Sequence, residues 1–380
     1  MPLALRLPDG SVETFGVGEP VVEVEIANED GLAALCSLEE LKLVEAYMRG
    51  DLDMEGDLFA AMDLRDVLSD RQLLVKAWTF VQPALFGRRR LNPEWIAKHY
   101  DSENMQLFAT DETYNVYTPG VYVTKDDSLE EGAERKLEYA FRSLQLKPGD
   151  SLLDVGCGWG GFVRYCAQRK VIATGISLSR HQLDFARNRL EQDGAEATLL
   201  YKDFFAYEPS SRFDAISLMG SIEDLADYDA VMRRLAAWLR PGGRIYLDFA
   251  SVDRRFGVAS FVTKYVWPGA FRMVYLPAFT RALAKHHFDI VEMLNDRRNY
   301  ELWVRGGYRR WMRRKQEVVD AAGEATWRMM RILMTSTAHL MSDRSRRATA
   351  YRMVMQPRAA APGAAARDRG EASLAVDSRP

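Results

Sequence analysis

Ser151-Leu152-Leu153-Asp154-Val155-Gly156-Cys157-Gly158-Trp159-Gly160-Gly161 decides the fold. Ser151–Val155 reads as a short buried strand, and the glycine run after it as a turn that opens a helix. The same unit repeats outward. A second strand falls at Val171–Ile176, and Ser179 with Gln182 has the capping-box spacing of a helix that ends at Gly194. Further strands are predicted at Ala197–Leu200, Phe213–Leu218 and Arg244–Phe249. Between the last two, a helix near Tyr228–Leu239 carries Val231, Met232, Leu235, Ala236 and Leu239 on one face, and Pro241-Gly242-Gly243 stops it. Upstream, Ser128 with Glu131 caps a helix to about Leu144; downstream, a helix over 278–286 and a strand near Phe288–Met293 resume the pattern. Strand, glycine turn and helix in repetition predict an open, mostly parallel α/β sheet covered on both faces.

At 380 residues the chain has room for two domains. Hydrophobic residues make up 47% and charged residues 28%, the balance of a globular protein with a sizeable core. Net charge is 51 − 54 = −3, which argues against a polycation that seeks nucleic acid. The three cysteines, Cys36, Cys157 and Cys166, are too few for a disulfide framework. His99, His181, His286, His287 and His339 lack ligand spacing, so no metal is expected. There is no signal-peptide pattern and no apolar run of about 20 residues, so a cytoplasmic protein is expected.

Residues 1–90 read as a small α+β N-terminal domain. Its strands run to about residue 35, a Ser37/Glu40 capping box opens a helix to Met48, and Phe59–Phe86 is largely helical around Leu64, Val67, Leu68, Leu73, Leu74 and Trp78. Residues 91–356 form the catalytic domain, and alanine-, glycine- and proline-rich 357–380 a disordered tail. Within the larger domain, irregular 104–122 is rich in aromatics and reads as a pocket wall or lid. Stretch 297–316 sets eight basic residues against Glu301 alone, with aromatics between them, which suits an anionic membrane surface. Methionines 329, 330, 334 and 341 make an apolar face for core packing or a homodimer seam.

Gly156, Gly158 and Gly161 satisfy GxGxxG, which raises a nicotinamide dinucleotide. The ribose-binding acid expected about 20 residues on is missing; Thr174-Gly175-Ile176-Ser177-Leu178-Ser179 stands there instead. Asp154, directly before the loop, suits a cationic ligand. S-adenosylmethionine, a sulfonium nucleoside without pyrophosphate, is therefore favoured over the dinucleotide.

Asp154–Gly161 and Thr174–Ser179 with Gln182 resemble the cyclopropane-fatty-acyl-phospholipid and mycolic acid cyclopropane synthases. Glu45–Gly50, Glu55–Asp57, His99–Asp101, Ser128–Glu131, Lys264–Gly269 and Trp327-Arg328 extend the resemblance over about residues 5–356. It implies a Rossmann-like S-adenosylmethionine-dependent methyltransferase fold, peripheral to the inner face of the membrane. The reaction implied is methyl transfer to a cis double bond in the acyl chain of an unsaturated phospholipid. Carried over residue by residue, Tyr114, Gly156, Gly158, Ser177 and Gln182 contact the cofactor, with Asp154, Gly160 and Asp203 completing the set. Separately from the resemblance, Tyr117, Phe249 and Trp267 are candidates to line an acyl pocket.

Family members bind bicarbonate as the base that removes a proton after methyl transfer, through a cysteine, a glutamate, a histidine and a tyrosine. Here the cysteine segment reads Tyr114-Asn115-Val116, the glutamate is Glu223, the histidine position is Asp248 and the tyrosine is Tyr300. Two carboxylates at this point would repel an anion, so bicarbonate is not expected. Glu223 and Asp248 would share one proton, and one of them would act as the base directly. Alternatives are a changed, redox or desaturase-type reaction on an already methylated chain, a small-molecule methyltransferase, and a non-catalytic lipid-binding relative.

Overall fold

The computed structural model describes residues 1–70, 108, 110–225, 227–252, 259–266, 273–343, 345 and 348–358. In the N-terminal part, β1 (Leu3–Arg6) turns through Asp9-Gly10 into β2 (Val12–Phe15), and β3 (Val22–Ile26) follows. Next come α1 (Glu29–Ser37), α2 (Glu40–Arg49), β4 (Leu52–Gly56), α3 (Leu58–Ala61) and a 3-10 turn over Met62–Val67. The sheet order is β2-β1-β3-β4, with only the β1–β3 pair parallel.

Here the structure corrects the sequence reading. Asn28 caps α1 by accepting the Gly31 N–H at 2.9 Å, so residues 29–37 are helical rather than extended. Ser37 closes α1 instead of opening α2, because Leu38 takes a left-handed φ of 49° that ends the helix between them. Within the described part of the helix expected over Phe59–Phe86, only Leu58–Ala61 is α-helical, a 3-10 turn follows to Val67, and Leu64 and Val67 are exposed. Leu73, Leu74 and Trp78 lie outside the described residues.

The larger part begins with α4 (Leu129–Ser143), opened by the Ser128/Glu131 capping box, then β5 (Ser151–Val155) and α5 (Gly161–Ala167). There follow β6 (Ile172–Ser177), α6 (Arg180–Gln192), β7 (Thr198–Tyr201), β8 (Phe213–Met219), α7 (Tyr228–Trp238) and β9 (Leu239–Val252). The Pro241-Gly242-Gly243 stop ends α7 but lies inside β9. The pairing there jumps from Phe213–Leu239 to Ala215–Arg244, so the three residues bulge out of the ladder. β10 (Val274–Tyr275), α8 (Leu276–Lys285), β11 (Phe288–Asn295), α9 (Arg297–Arg313), α10 (Lys315–Ala322), α11 (Glu324–Met341) and β12 (Thr349–Pro357) complete the chain.

The main sheet runs β11-β12-β9-β8-β5-β6-β7, parallel from β9 to β7, with β10 alongside β9. β12 enters antiparallel between β9 and β11, an insertion the sequence reading missed. Its last residue is Pro357, so the expected tail does not begin there; residues 359–380 lie outside the described set.

One face of the sheet packs on α7 and α8 through Val231, Leu235, Phe279 and Leu283; the other packs on α4, α5 and α6 through Leu137, Phe162, Leu183 and Ala186. A third core joins the N-terminal part to α9, α10 and α11. Tyr47, Leu41 and Leu52 meet Trp311, Val318, Trp327, Met330 and Met334 in it, so three of the four methionines have a place in this core. Met341 is buried against Ala250 and Ala348. Arg331 donates to Tyr47 Oη, and Arg328 pairs with Asp53 at 2.8 Å.

Trp311 is wholly buried and its indole N–H donates to the Trp327 carbonyl at 3.1 Å. Trp311→Ala should therefore cost about 3–5 kcal/mol in denaturant unfolding. A loss below about 1 kcal/mol would mean that this shared core does not hold the two parts together.

Candidate functional site

Parallel strands leave a crevice at their carboxyl ends, and the glycine run lies there between β5 and α5. The Gly156 and Cys157 N–H groups both donate to the Ile176 carbonyl, at 2.9 and 3.0 Å, drawing the turn across the end of β6. Each glycine has its own reason. A Cβ on Gly156 would stand 2.6 Å from Ser221 Cβ, and one on Gly160 2.7 Å from Ala186 Cβ. Gly158 differs. At φ +52° its added Cβ would meet nothing nearer than Gln182 Nε2 at 3.9 Å, so a side chain there would enter open space.

That space is a pocket lined by Asp154, Gly156, Gly158, Ser177, Gln182 and Asp203. Two residues of the expected set are elsewhere. Gly160 caps α5 against α6, and the Tyr114 ring packs edge-on to Tyr165 beneath the Arg164 guanidinium. The wall belongs instead to Asn115, Val116, Tyr117 and Thr118. The Asp111 carboxylate fixes this segment by accepting the Asn115 and Val116 N–H groups, at 3.1 and 2.7 Å.

Asp154 Oδ1 accepts the Ser217 hydroxyl at 2.6 Å, and burial pushes its carboxyl up to about 6. Asp203 accepts the Phe205 and Ala206 N–H groups at 2.8 and 3.1 Å, which shapes the turn after β7. Asn115 Oδ1 and Trp159 Nε1, both from lining residues, are buried without a hydrogen-bond partner. Sequence reasoning passed over Asn115. An acidic residue, free amide and indole groups and a glycine cradle among Phe204, Phe205 and Leu225 fit a cationic nucleoside. S-adenosylmethionine matches that chemistry.

Glu223 sits in a 3-10 turn (Ile222–Asp224) after β8. Its Oε1 accepts the Ala250 N–H at 2.8 Å, while Oε2 is buried without a partner among the described residues. Burial pushes its carboxyl up to about 8, and the neighbouring Asp224 up to about 7. Tyr300, near the start of α9, has its hydroxyl held above the usual range by burial and by the charges of Glu223, Tyr117 and Asp248. Its ring meets Trp303 at 5.5 Å, and Tyr117 meets the same tryptophan at 5.8 Å. Glu223, Tyr300 and Tyr117 thus converge beside the pocket, with Trp303 as an unanticipated member.

Asp248 behaves otherwise. Its Oδ2 lies 2.8 Å from Lys136 Nζ, with both side chains buried, so it is an ion-pair partner and not half of a proton-sharing pair with Glu223. The repulsion expected between two bare carboxylates is correspondingly offset. Lys136 was missed, yet Ala133, Lys136, Leu137 and Ala140 occupy one buried face of α4, and a lysine in an apolar stripe is the signal. Phe249 is corrected too. Successive strand residues face opposite sides, so Phe249 points away from Asp248 into the core, against Phe279 and Tyr351 at 5.5 and 5.9 Å. Trp267 lies outside the described residues.

In the basic stretch, five of the eight cations are engaged within the molecule. Arg297, Arg305, Arg310, Arg314 and Lys315 pair with Asp343, Glu301, Glu130, Glu317 and Glu324.

Residues 88–349 match the family described as mycolic acid cyclopropane synthetase, and residues 1–68 a domain of unknown function. A "Probable fatty acid methyltransferase" of Pseudomonas putida is 26% identical over 89% of this chain and 88% of its own length. The cyclopropane-fatty-acyl-phospholipid synthase of Escherichia coli is 26% identical over 84% and 85%. A sphingolipid C9-methyltransferase of Candida albicans is 24% identical over 82% of this chain and 64% of its own. Among solved structures, the cyclopropane synthase MmaA2 of Mycobacterium tuberculosis superposes with a TM-score of 0.63 at 19% identity, covering 69% of this chain and 97% of that one. The fold is thereby Rossmann-like, of the methyltransferase type.

Two measurements check the site. Gly158→Val should weaken binding of S-adenosylhomocysteine by at least about tenfold in calorimetry. Gly194→Val, equally left-handed at φ +60° but open to solvent, should leave binding unchanged. Equal affinities in both variants would remove Gly158 from the pocket.

The second concerns Glu223. The folded chain keeps its proton up to about pH 8, whereas an unfolded chain releases it near the ordinary 4.5. The folded state binds more protons between those values, so stability falls as pH rises through that window. Glu223→Gln should accordingly show a melting-temperature advantage that grows from pH 5 to pH 8 or above. A constant difference would contradict the buried, protonated carboxyl.

Proposed function

The chain belongs to the mycolic acid cyclopropane synthetase family and is an S-adenosylmethionine-dependent methyltransferase; from that premise we propose that it methylates the double bond of an unsaturated fatty acyl chain carried by a membrane phospholipid. The product is a methyl-branched or cyclopropane chain. The observation that carries this reading is the Glu223 carboxyl, with one buried oxygen unpartnered among the described residues, near enough to Tyr300 for its charge to be felt at that hydroxyl, while Tyr300 and the pocket-lining Tyr117 share Trp303 as a ring neighbour. Relatives named as a probable fatty acid methyltransferase, a sphingolipid C9-methyltransferase and a cyclopropane-fatty-acyl-phospholipid synthase support a lipid acceptor.

Asp154, Ser177, Gln182 and the glycine loop would hold S-adenosylmethionine, which would supply an electrophilic methyl group. An alkene carbon that takes this methyl leaves its neighbour cationic, and a proton must then depart. If it departs from the new methyl, the ring closes; if from the adjoining chain carbon, a methyl-branched alkene forms. In either case Glu223 Oε2 accepts the proton directly, without bicarbonate, and its Oε1 stays on the Ala250 N–H. A carboxyl pushed up to about 8 is a stronger proton acceptor than an ordinary one, and a cation beside it favours its ionised form. The aromatic faces stabilise the developing charge.

Among the described residues no helix is long and apolar enough to cross a membrane. Arg298, Arg309 and Arg313 are exposed, are without an ion pair among the described residues, and fall on one side of α9. We place the anionic headgroup surface against them.

Incubation with S-adenosylmethionine and vesicles of unsaturated anionic phospholipid should give lipid about 14 mass units heavier for each methyl group that replaces a proton, together with S-adenosylhomocysteine. Turnover should persist in bicarbonate-free buffer and fall as salt screens the headgroups. Glu223→Gln should lose about a hundredfold in kcat while still binding S-adenosylhomocysteine. Cofactor binding with no heavier lipid would overturn the proposal.

A further inference from the structure

Four buried or nearly buried charges lie behind the reacting centre. Lys136 Nζ is 2.8 Å from Asp248 Oδ2, with side-chain exposures of 2% and 8%. Arg352 is the cross-strand partner of Asp248 on β12, and its Nε lies 3.4 Å from Asp296 Oδ1, with exposures of 11% and 9%. Each pair balances one cation with one anion, and the buried Asp154 carboxyl lies within electrostatic reach of Lys136 and Asp248. A lone charge in such a place is strongly disfavoured, so the four constrain one another.

Each pair has an arm into the site. Lys136 also donates to Thr118 Oγ1, at the end of the wall segment that carries Tyr117. Asp296 sits at the head of α9: its N–H donates to the Ala350 carbonyl, its own carbonyl accepts the Tyr300 N–H, and its Oδ1 accepts Asn299 Nδ2, at 2.8, 2.8 and 2.7 Å. Asn299 in turn accepts the Tyr122 N–H at 2.9 Å. The arms meet where Trp303 touches both Tyr117 and Tyr300.

We propose that Asp248 is a positioning residue and not the proton acceptor: with Lys136, Arg352 and Asp296 it forms a charge-balanced network that sets the Tyr117–Trp303–Tyr300 wall opposite Glu223. The inference rests on the methyl-transfer reading for its kinetic arm only. Lys136 is the new member, since its ammonium engages the Asp248 carboxylate that a free base would need to keep open.

The test is a cycle of Lys136→Met, Asp248→Asn and the double variant, assayed below their melting temperatures. Each single change strands one buried charge and should shift the wall, cutting kcat by up to about a hundredfold while S-adenosylhomocysteine affinity stays near wild type. The double variant strands none and should regain most of the lost turnover. If Asp248 were the base, the double variant would be as inactive as Asp248→Asn, and the proposal would fall. The ratio of ring to methyl-branched products should also change in the singles and return in the double, which loss of folded protein alone would not produce.

A second readout needs no turnover. The near-ultraviolet circular dichroism of each form minus that of its Trp303→Phe counterpart isolates the Trp303 band. That band should collapse in the singles and reappear in the double; an unchanged band in the singles would overturn the network. Inactive wild type with the expected dichroism would sink the methyl-transfer reading and leave the network standing. Should the first double variant not fold, Arg352→Met with Asp296→Asn poses the same question at the second ion pair.

Discussion

A charge taken out of water must meet its opposite within a few ångströms or be neutralised. At the carboxyl edge of the main sheet Lys136 meets Asp248 under that constraint, and much of the site's layout follows. The lysine comes from α4 and the aspartate from β9. Their pairing therefore fixes how the helix lies across the sheet, and the Lys136–Thr118 bond carries that placement to the pocket wall. The same pairing separates the two carboxylates chemically. Asp248 has a cation in contact, whereas Glu223 has one backbone N–H and a bare oxygen. Unequal environments, rather than unequal residue types, set Glu223 apart from Asp248.

The cofactor pocket obeys a steric constraint of a different kind. Two backbone N–H groups on one carbonyl pull the glycine turn tight, and side chains from neighbouring elements then stand within 3 Å of where a Cβ would be on Gly156 and Gly160. Those two must be glycine because of protein neighbours, although Gly156 also lines the pocket; an added side chain on Gly158 would instead enter open space. Two glycines of one GxGxxG pattern, Gly156 and Gly158, are thus glycine for different reasons, and sequence alone cannot sort them.

The N-terminal part, in turn, shares its interior with the helices that follow the sheet. Trp311, Trp327 and the α11 methionines have Tyr47, Leu41 and Leu52 as neighbours, and Arg328 and Arg331 reach back to Asp53 and Tyr47. α9 bridges this core and the reacting centre, with Trp311 in the former and Tyr300 and Trp303 in the latter. Displacement of the N-terminal part would thus be felt at Tyr300.

Local rules carried the sheet, because strand, glycine turn and capped helix are written in neighbouring residues; the Ser128 and Ser179 caps are found where their spacing puts them. Local rules failed where an unread helix took up the signal, as when α1, opened by Asn28, ran through Ser37, or where a strand was paired from far away, as with β12. Within the site, Glu223 and Tyr300 were legible as candidates and do converge, while Phe249 was misplaced because alternation along β9 sends it to the opposite face from Asp248. By itself the sequence determined the fold class, the cofactor loop and the chemical types of the candidate site groups. Only the tertiary structure decided which carboxylate stays free, since that depends on a lysine 112 positions before Asp248, and a buried charge is answered by what lies near it in space.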